Sequence, residues 1–317
     1  MSSSSIQNAN AILMVRPWDF KYNEQTAGDN EFQQRPGIEL QDKVHQLVMN
    51  EFALMEQSLR REGVKVLVLE KNHTLLETPD AVFPNNWFST GADGSVLVYP
   101  MLAENRNQER RIEDVEQLLV EHDFQIRNLL YIGRPNEPKW ILEGTGAMII
   151  DHRRGQVFAA RSERCHERQF ENFITTRGYE QGFLFDTLGS SGKPIYHTNV
   201  MMSIGDGFAV ICSECFADKA ELKQVLDNLS EDREIIEISI SQMEQQFCGN
   251  ILQIRNEKGE PLIAMSRSAF EGFTSRQKDI LEKQGKILAM DVNTIEIIGG
   301  GSVRCMMAEI FLPSDSI

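Results

Sequence analysis

The sequence predicts an α/β protein in which five similar units close into a ring. Five segments with the apolar spacing of a helix are each followed by a strand-like run, and each run is followed by a polar segment that leads into another strand. One polar residue from each polar segment marks a period, with gaps of 57, 54, 53 and 55 residues between Asn86, Glu143, His197, Asn250 and Cys305. A single unit of strands and one helix cannot bury its apolar face alone, so a repeat of this length indicates that the units pack together.

The helices follow from apolar spacing. The clearest covers about residues 39–61, and its apolar face comprises Val44, Leu47, Val48, Phe52, Met55 and Leu59. Shorter helices are predicted to start near Arg110, Glu163, Asp218 and Ser275.

A strand-like run follows each helix. These runs are "VKVLVLE", "FQIRNLLYI", "GFLFDTL", "REIIEISI" and "KILAMDV". They are rich in β-branched and aromatic residues, which suit a pleated surface.

The polar segments are the part of each unit that could carry function. They read "PDAVFPNNWFST", "LEGTGAMIID", "IYHTNVMMSI", "FCGNILQI" and "GGGSVRCMMAEI". If the units close around an axis, equivalent positions converge on it, and polar side chains that are distant in sequence share one pocket. No linker interrupts the pattern, so residues 1–317 are predicted to form a single domain, with residues 1–29 as an amino-terminal extension and first strand.

The composition narrows the class of protein. With 41% hydrophobic and 25% charged residues, the chain is long enough for a sizeable core, and disorder is excluded. The 47 acidic residues outnumber the 32 basic ones and give a formal charge of −15, which disfavours nucleic acid and favours a small cationic or zwitterionic partner. The apolar run at residues 11–15 is far shorter than the roughly 20 residues of a membrane span. The short apolar run and the five scattered cysteines together predict a cytoplasmic protein without membrane contact.

Three of the converging residues suggest covalent chemistry. Cys305, His197 and Glu143 are the components of a thiol nucleophile, a general acid/base and a group that orients the imidazole. Cys305 follows Gly299–Gly301 on a segment predicted to be strand-like, and glycines there would let the backbone approach a ligand. Each residue also has a structural interpretation: Cys305 and His197 as packed core residues, and Glu143 as a solvated turn residue.

The order of these motifs resembles the pentein, or guanidino-group-modifying, superfamily, which contains dimethylarginine dimethylaminohydrolases, arginine deiminases and amidinotransferases. The resemblance extends from about Asp80 to Cys305 and implies a five-bladed αβ-propeller. It also implies that Cys305 is the nucleophile, that His197 is the general acid/base and that Glu143 holds the histidine. The family's "E-G-G" motif reads "E-G-T-G" in this chain.

The resemblance further implies a site for the amino-acid end of the substrate. Asp80, in "PDAVF", resembles the aspartate that binds the α-amino group. Arg164, in "ARSERC", resembles an arginine that binds the α-carboxylate, and Arg110, in "ERRIED", matches another arginine near that pocket. Either arginine could instead be a solvated residue at a helix start.

The chain departs from the family at the position that contacts the reacting group. Dimethylarginine hydrolases and arginine deiminases have an aspartate there that pairs with the guanidinium, whereas this chain has Asn85 and Asn86. A carboxylate suits a cationic head because the two form charge-assisted bonds. An asparagine offers an acceptor and two donors, which match a neutral ureido group. The chain is therefore also similar to the citrulline-utilisation hydrolases among the penteins.

These observations predict a cysteine-dependent hydrolase of a C–N bond in a guanidino or ureido amino acid, with citrulline as the first expectation. The partner would be a small zwitterionic amino acid, and the reaction would need no metal or organic cofactor. The alternatives are an amidinotransferase that uses the same covalent intermediate, a dimethylarginine or arginine hydrolase, and a propeller that binds a ligand without catalysis. No feature of the sequence indicates an oligomeric state.

Overall fold

The structure is a computed structural model that describes residues 6–70, 76–133 and 140–314. Its strands are β1 (Ala11–Val15), β2 (Lys65–Leu69), β3 (Phe88–Thr90), β4 (Ser95–Val98), β5 (Asn128–Tyr131), β6 (Met148–Asp151), β7 (Gln156–Ala160), β8 (Gln181–Phe185), β9 (Met202–Ile204), β10 (Phe208–Ile211), β11 (Glu234–Glu237), β12 (Leu252–Arg255), β13 (Pro261–Ser266), β14 (Lys286–Met290) and β15 (Ala308–Ile310). Its helices are α1 (Ile38–Gln41), α2 (Val44–Arg61), α3 (Glu104–Asn107), α4 (Ile112–Glu121), α5 (Gly144–Ala147), α6 (Glu167–Arg177), α7 (Lys219–Leu229), α8 (Ile240–Gln246), α9 (Arg267–Gly272), α10 (Ser275–Gln284) and α11 (Asn293–Gly299). Short 3₁₀ turns lie at Pro84–Asn86, Thr198–Val200 and Ser213–Cys215.

Within the described residues the strands form five three-stranded sheets, four of which share one connectivity. In β3-β4-β5 and β6-β7-β8 the first two strands form an antiparallel hairpin, and the second strand pairs parallel with the third. The same pattern occurs in β9-β10-β11 and β12-β13-β14. A parallel pair needs a crossover connection, which α4, α6, α7 and α10 provide. The mixed α/β class and the strand–strand–helix–strand unit are thus confirmed.

The fifth sheet is assembled from the two ends of the chain. Strand β1 pairs antiparallel with β15 and parallel with β2, so Leu13 lies opposite both Ala308 and Leu67. Helix α2 connects the parallel pair. The polar segment that carries Cys305 therefore leads into a strand held by the amino-terminal part of the chain.

The middle strands of four of the sheets are the elements that sequence periodicity does not reveal. Strands β4, β7 and β10 are buried along their whole length. A strand buried on both faces is continuously apolar and lacks the alternation by which a half-buried strand is found. The sequence therefore indicates the first and third strands of each unit but not the second.

The predicted helices are present, with two differences. The helix expected over 39–61 is interrupted between α1 and α2, and Leu47, expected on the buried face, is exposed. Its other five predicted core residues are buried: Val44, Val48, Phe52, Met55 and Leu59. Helix α6 begins at Glu167, because the His166 side chain accepts a hydrogen bond from the backbone of Arg168 and caps the helix there.

The segment around Cys305 was predicted to be strand-like, and this is wrong. Helix α11 ends at Gly299, and Gly300 continues with φ +65°, a left-handed conformation that favours glycine. Cys305 then lies in a turn, where its backbone N–H donates to the carbonyl of Ser302 at 2.9 Å. Strand β15 begins only at Ala308. The turn therefore places the thiol between helix α11 and strand β15.

No helix in the described ranges is long and apolar enough to cross a membrane. The same ranges contain no group of three or more histidine, cysteine, aspartate or glutamate side chains that could hold a metal ion.

Candidate active site

The polar residues chosen by their period lie close to one another in space. His197 contacts Glu143, and Asn250 contacts Cys305. Asn86, His197 and Cys305 line a single pocket. Each residue comes from the polar segment ahead of the first strand of a different sheet, so equivalent positions of the five units meet at this pocket.

Glu143 and His197 form a buried hydrogen-bonded pair, with 2.8 Å between Oε2 of the carboxylate and Nε2 of the ring. Burial opposes the charge on Glu143, but Arg164, the hydrogen bond to His197 and Arg106 together lower its pKa to about 2. Burial lowers the pKa of His197 to about 4, despite the favourable effect of Glu143. A carboxylate only accepts hydrogen bonds, so near neutral pH Nε2 carries the proton and Nδ1 is the free base.

The pKa shifts of His197 and Glu143 make the stability of the folded protein depend on pH in the acidic range. The ordinary pKa of histidine is 6.5, and the folded value is about 4. The unfolded chain therefore binds more protons between these values, and the stability contributed by neutral His197 is complete above pH 6.5 and is lost as the pH falls toward 4. The contribution of ionised Glu143 is complete above pH 4.5 and is lost as the pH falls toward 2.

Both glycines of "EGTG" are required because neither position has room for a Cβ atom. Gly144 has φ +47°, and a Cβ there would lie 2.5 Å from the backbone oxygen of Asn85. A Cβ on Gly146 would lie 2.2 Å from Nδ2 of Asn86 and 3.0 Å from Nδ1 of His197. Thr145, between them, is tolerated because its hydroxyl donates to the Asn85 oxygen at 3.2 Å. The departure from "E-G-G" thus leaves both constrained positions as glycine.

Cys305 is buried, and two asparagine side chains contact its sulfur. Nδ2 of Asn250 lies 3.2 Å from Sγ, and Nδ2 of Asn199 lies 3.4 Å from it. His197 lines the same pocket as Cys305, but within the described residues no hydrogen bond joins the two. The glycines before the cysteine shape the wall of the pocket, since a Cβ on Gly301 would lie 2.9 Å from the ring of Phe83.

The arginine that lines the pocket beside Asn86 is Arg106 and not Arg110. The Arg106 guanidinium is buried, donates to Oδ1 of Asn86 at 2.9 Å and pairs with Glu109 at 3.0 Å. Arg110 is not among the residues that line the pocket, and it donates to the backbone oxygens of Asn107 and Tyr99. The prediction for Arg110 is therefore corrected. Sequence spacing alone did not separate two arginines that are four residues apart, because each has a glutamate at i+3, Glu109 for Arg106 and Glu113 for Arg110.

Asn85 and Asn86 occupy different places. Asn86 lines the pocket, whereas Asn85 lies behind it, with its Oδ1 accepting from Nδ2 of Asn86 at 2.9 Å. Nδ2 of Asn85 is buried without a hydrogen-bond partner. Asn86 is thus the residue positioned to contact a ligand, and Asn85 supports it.

Asp80 lines the pocket and is anchored through one oxygen. Its Oδ2 accepts from Nδ2 of Asn23 at 2.7 Å and from Oγ1 of Thr26 at 3.2 Å. Its Oδ1 is buried and has no partner. Burial raises the pKa of Asp80 against the opposing effect of Arg106. The free oxygen is an acceptor suited to a cationic donor.

Arg164 also lines the pocket, and its guanidinium is engaged by the amino-terminal segment. It makes a bidentate pair with Asp29, at 2.6 Å and 2.7 Å, and lies 3.5 Å from Glu143. Asn30, from the same segment, lines the pocket and donates to the carbonyl of Gly299. The amino-terminal segment therefore forms part of the pocket wall, which the sequence did not predict.

A sequence model of the family "N,N dimethylarginine dimethylhydrolase, eukaryotic" matches residues 16–312, which is nearly the whole chain. The chain belongs to this family. Membership makes it a hydrolase that acts on C–N bonds, and supports guanidino groups of arginine-like compounds as its substrate class. No curated protein sequence matches the chain.

Solved structures agree with the family assignment at the level of fold. The amino-terminal domain of ArgZ, an arginine dihydrolase from the ornithine-ammonia cycle in cyanobacteria, has a TM-score of 0.66 and 14% identity, with 94% of this chain and 97% of that chain covered. Unliganded AgrE has a TM-score of 0.69 and 14% identity, with 97% of this chain and 40% of that chain covered. DDAH from Pseudomonas aeruginosa, in complex with citrulline, has a TM-score of 0.65 and 14% identity, with 96% of this chain and 100% of that chain covered.

Proposed function

We propose that this family member hydrolyses citrulline, or a closely related ureido amino acid, through a covalent intermediate on Cys305. The observation that carries the proposal is Asn86, a buried neutral amide in the pocket of Cys305 and His197. One donor of its Nδ2 is used by Asn85, and its Oδ1 accepts from Arg106. One donor hydrogen and one acceptor lone pair therefore remain, and a ureido group can use both.

The reaction would proceed in two displacements. The sulfur of Cys305 attacks the ureido carbon as its proton passes to Nδ1 of His197, and the bond from that carbon to the δ-nitrogen breaks. The leaving amine takes the proton from His197 and departs as ornithine. A water molecule then gives a proton to His197 and attacks the S-carbamoyl group, which releases carbamate and restores the thiol. The carbamate decomposes to carbon dioxide and ammonia.

The amino-acid end of the substrate would bind to Asp80 and the arginines. The partnerless Oδ1 of Asp80 suits an α-ammonium group. The α-carboxylate would bind Arg164 in exchange for Asp29, whose carboxylate occupies two donors of that guanidinium. The pocket thus supports a zwitterionic substrate, as the charge of the whole chain also suggests.

The five sheets support a single domain built as a five-bladed propeller with the pocket on its axis. First strands of different sheets contact each other in the pairs β3 and β15, β6 and β9, and β9 and β12. The pairing of β1 with β15 would close the ring by joining the two chain ends.

The competing functions make different use of the same groups. ArgZ is an arginine dihydrolase and one DDAH structure contains citrulline, so both guanidino and ureido heads occur among proteins of this fold. An amidinotransferase would use the same nucleophile but would need an amine acceptor for turnover. A propeller that only binds a ligand would not need Cys305, His197 and Glu143 around one pocket.

Replacing Asn86 by aspartate is expected to shift the preference from citrulline toward arginine. The carboxylate would lose the donor hydrogens of the amide, and each unsatisfied buried group costs about 1–3 kcal/mol, so kcat/KM for citrulline should fall roughly tenfold to a hundredfold. Arginine should bind more tightly, because its guanidinium gains a charge-assisted partner, although Arg106 will share that carboxylate. The measurement is kcat/KM for citrulline together with Kd for arginine at one pH and ionic strength.

Asn256→Asp serves as the matched control, because Asn256 is a buried amide that donates to Glu260, and it is not among the residues that line the pocket. If Asn86→Asp leaves the ratio of the two constants unchanged, or moves it toward citrulline, Asn86 does not select the head group.

A further inference from the structure

Asn250 is buried beside Cys305, and all of its side-chain polar atoms are used. Its Nδ2 donates to Sγ of Cys305 at 3.2 Å and to the backbone oxygen of Asn199 at 2.8 Å, and its Oδ1 accepts from the backbone N–H of Arg304 at 3.1 Å. One side chain therefore joins the turn that carries the thiol to the turn that follows His197.

The position of Asn250 is fixed by its neighbour Gly249. A Cβ on Gly249 would lie 2.3 Å from the backbone oxygen of Val200 and 2.8 Å from the carbonyl carbon of Met201. The turn of Asn250 therefore packs directly on the backbone that follows His197, and only glycine allows this approach. The distance from the Asn250 amide to the sulfur is set by backbone contacts and not by a flexible side chain.

Every hydrogen bond that the described residues make to the Cys305 sulfur comes from an N–H donor. Asn250 and Asn199 both present N–H groups to Sγ. Among the residues that the structure describes, none accepts a hydrogen bond from a Cys305 S–H. An anionic sulfur is a much better acceptor than a neutral thiol, so two donors without an acceptor favour the thiolate.

The charged groups around the pocket do not provide a cation bonded to the sulfur. The ionisable side chains that line the pocket with Cys305 are Asp80, Arg106, Arg164, Tyr196 and His197. Arg106 pairs with Glu109, and Arg164 pairs with Asp29. Arg304, next to the thiol in sequence, pairs with Glu309 at 3.0 Å. A neutral ureido substrate would bring no positive charge to the sulfur either.

We propose that Asn250, together with Asn199, stabilises the negative charge that forms on the sulfur of Cys305 as its proton passes to His197, in place of a cationic partner. This inference rests on the proposed function, in which Cys305 is the nucleophile. It assigns Asn250 a role beyond the packing of its turn. Removing the amide donors while keeping the shape of the side chain should raise the pH at which Cys305 becomes reactive.

The test is the pH profile of alkylation of Cys305 by iodoacetamide, followed by peptide mapping in the full-length protein. Asn250→Asp keeps the oxygen that accepts from Arg304 and replaces the donor to sulfur by an oxygen. The midpoint of the profile is expected to rise by at least about one pH unit, so the rate at pH 7 should fall about tenfold. Because each variant is compared with itself across pH, a change in access of the reagent does not mimic the shift. The new carboxylate beside the sulfur raises the midpoint by repulsion as well, so a second variant without added charge is needed.

Asn199→Leu is the second variant and decides the question, because it removes a donor to the sulfur without adding a charge, and Oδ1 of Asn199 has no partner to lose. Its midpoint should also rise. Asn256→Asp is the control and should keep the wild-type midpoint. A folded Asn250→Asp or Asn199→Leu protein with the wild-type midpoint would overturn the inference. The assay contains no substrate, so a protein that fails to hydrolyse citrulline but shows the shift loses the proposed substrate and keeps the thiolate site.

Discussion

Replacing Cys305 by serine is expected to lower turnover at least a thousandfold while leaving the fold intact. The hydroxyl is a far weaker nucleophile at neutral pH than a thiolate, and the covalent route requires the sulfur to form the intermediate. The volume change at this buried position is small. Single-turnover kinetics and mass spectrometry of quenched protein should show the S-linked adduct in the wild type and none in the variant.

Cys248→Ser is the matched control, since Cys248 is buried in the same region and contacts the backbone oxygen of Ala269. It should retain turnover. If Cys305→Ser remains as active as Cys248→Ser, the covalent mechanism is wrong, and the pocket binds or converts its ligand by another route.

Replacing Glu143 by glutamine is expected to lower kcat by about a hundredfold or more, within the range that positioned acid–base groups contribute. The glutamine amide can donate to Nε2, which would move the ring proton to Nδ1 and remove the free base from that nitrogen. It also removes the carboxylate that balances Arg164 and Arg106. Steady-state kinetics across pH 5 to 9 should show the loss of kcat at every pH.

Asp151→Asn separates the catalytic effect from lost stability. Asp151 is a buried carboxylate paired with Arg233 at 2.7 Å, and it is not among the residues that line the pocket. This variant should lower the unfolding free energy but not kcat. A Glu143→Gln protein that is destabilised to the same degree and keeps its kcat would show that Glu143 is only structural.

The period of the sequence predicted which residues converge, because each polar segment occupies the same place in its unit. That argument brought Asn86, Glu143, His197, Asn250 and Cys305 together, and these residues line or contact one pocket. It did not indicate what Asn250 does. Its role depends on a distance to sulfur that periodicity does not contain.

Three features were not predicted from the sequence. Arg106 was missed in favour of Arg110, since both lie in one charged stretch and only packing shows which is buried. Cys305 was expected on a strand-like segment, but the left-handed Gly300 starts a turn first. The pairing of Asp29 with Arg164 joins residues that are 135 positions apart in sequence.

The most direct test of the proposed function is the identity of the product formed from citrulline. Purified wild-type protein and Cys305→Ser would be incubated with citrulline labelled with ¹³C at the ureido carbon, and with arginine and dimethylarginine in parallel. The expected result is stoichiometric ornithine and labelled carbon dioxide from citrulline in the wild type, and none in the variant, without an added amine. Citrulline left intact while arginine or dimethylarginine is converted to citrulline would contradict the assignment, and so would turnover that occurs only when an amine acceptor is added.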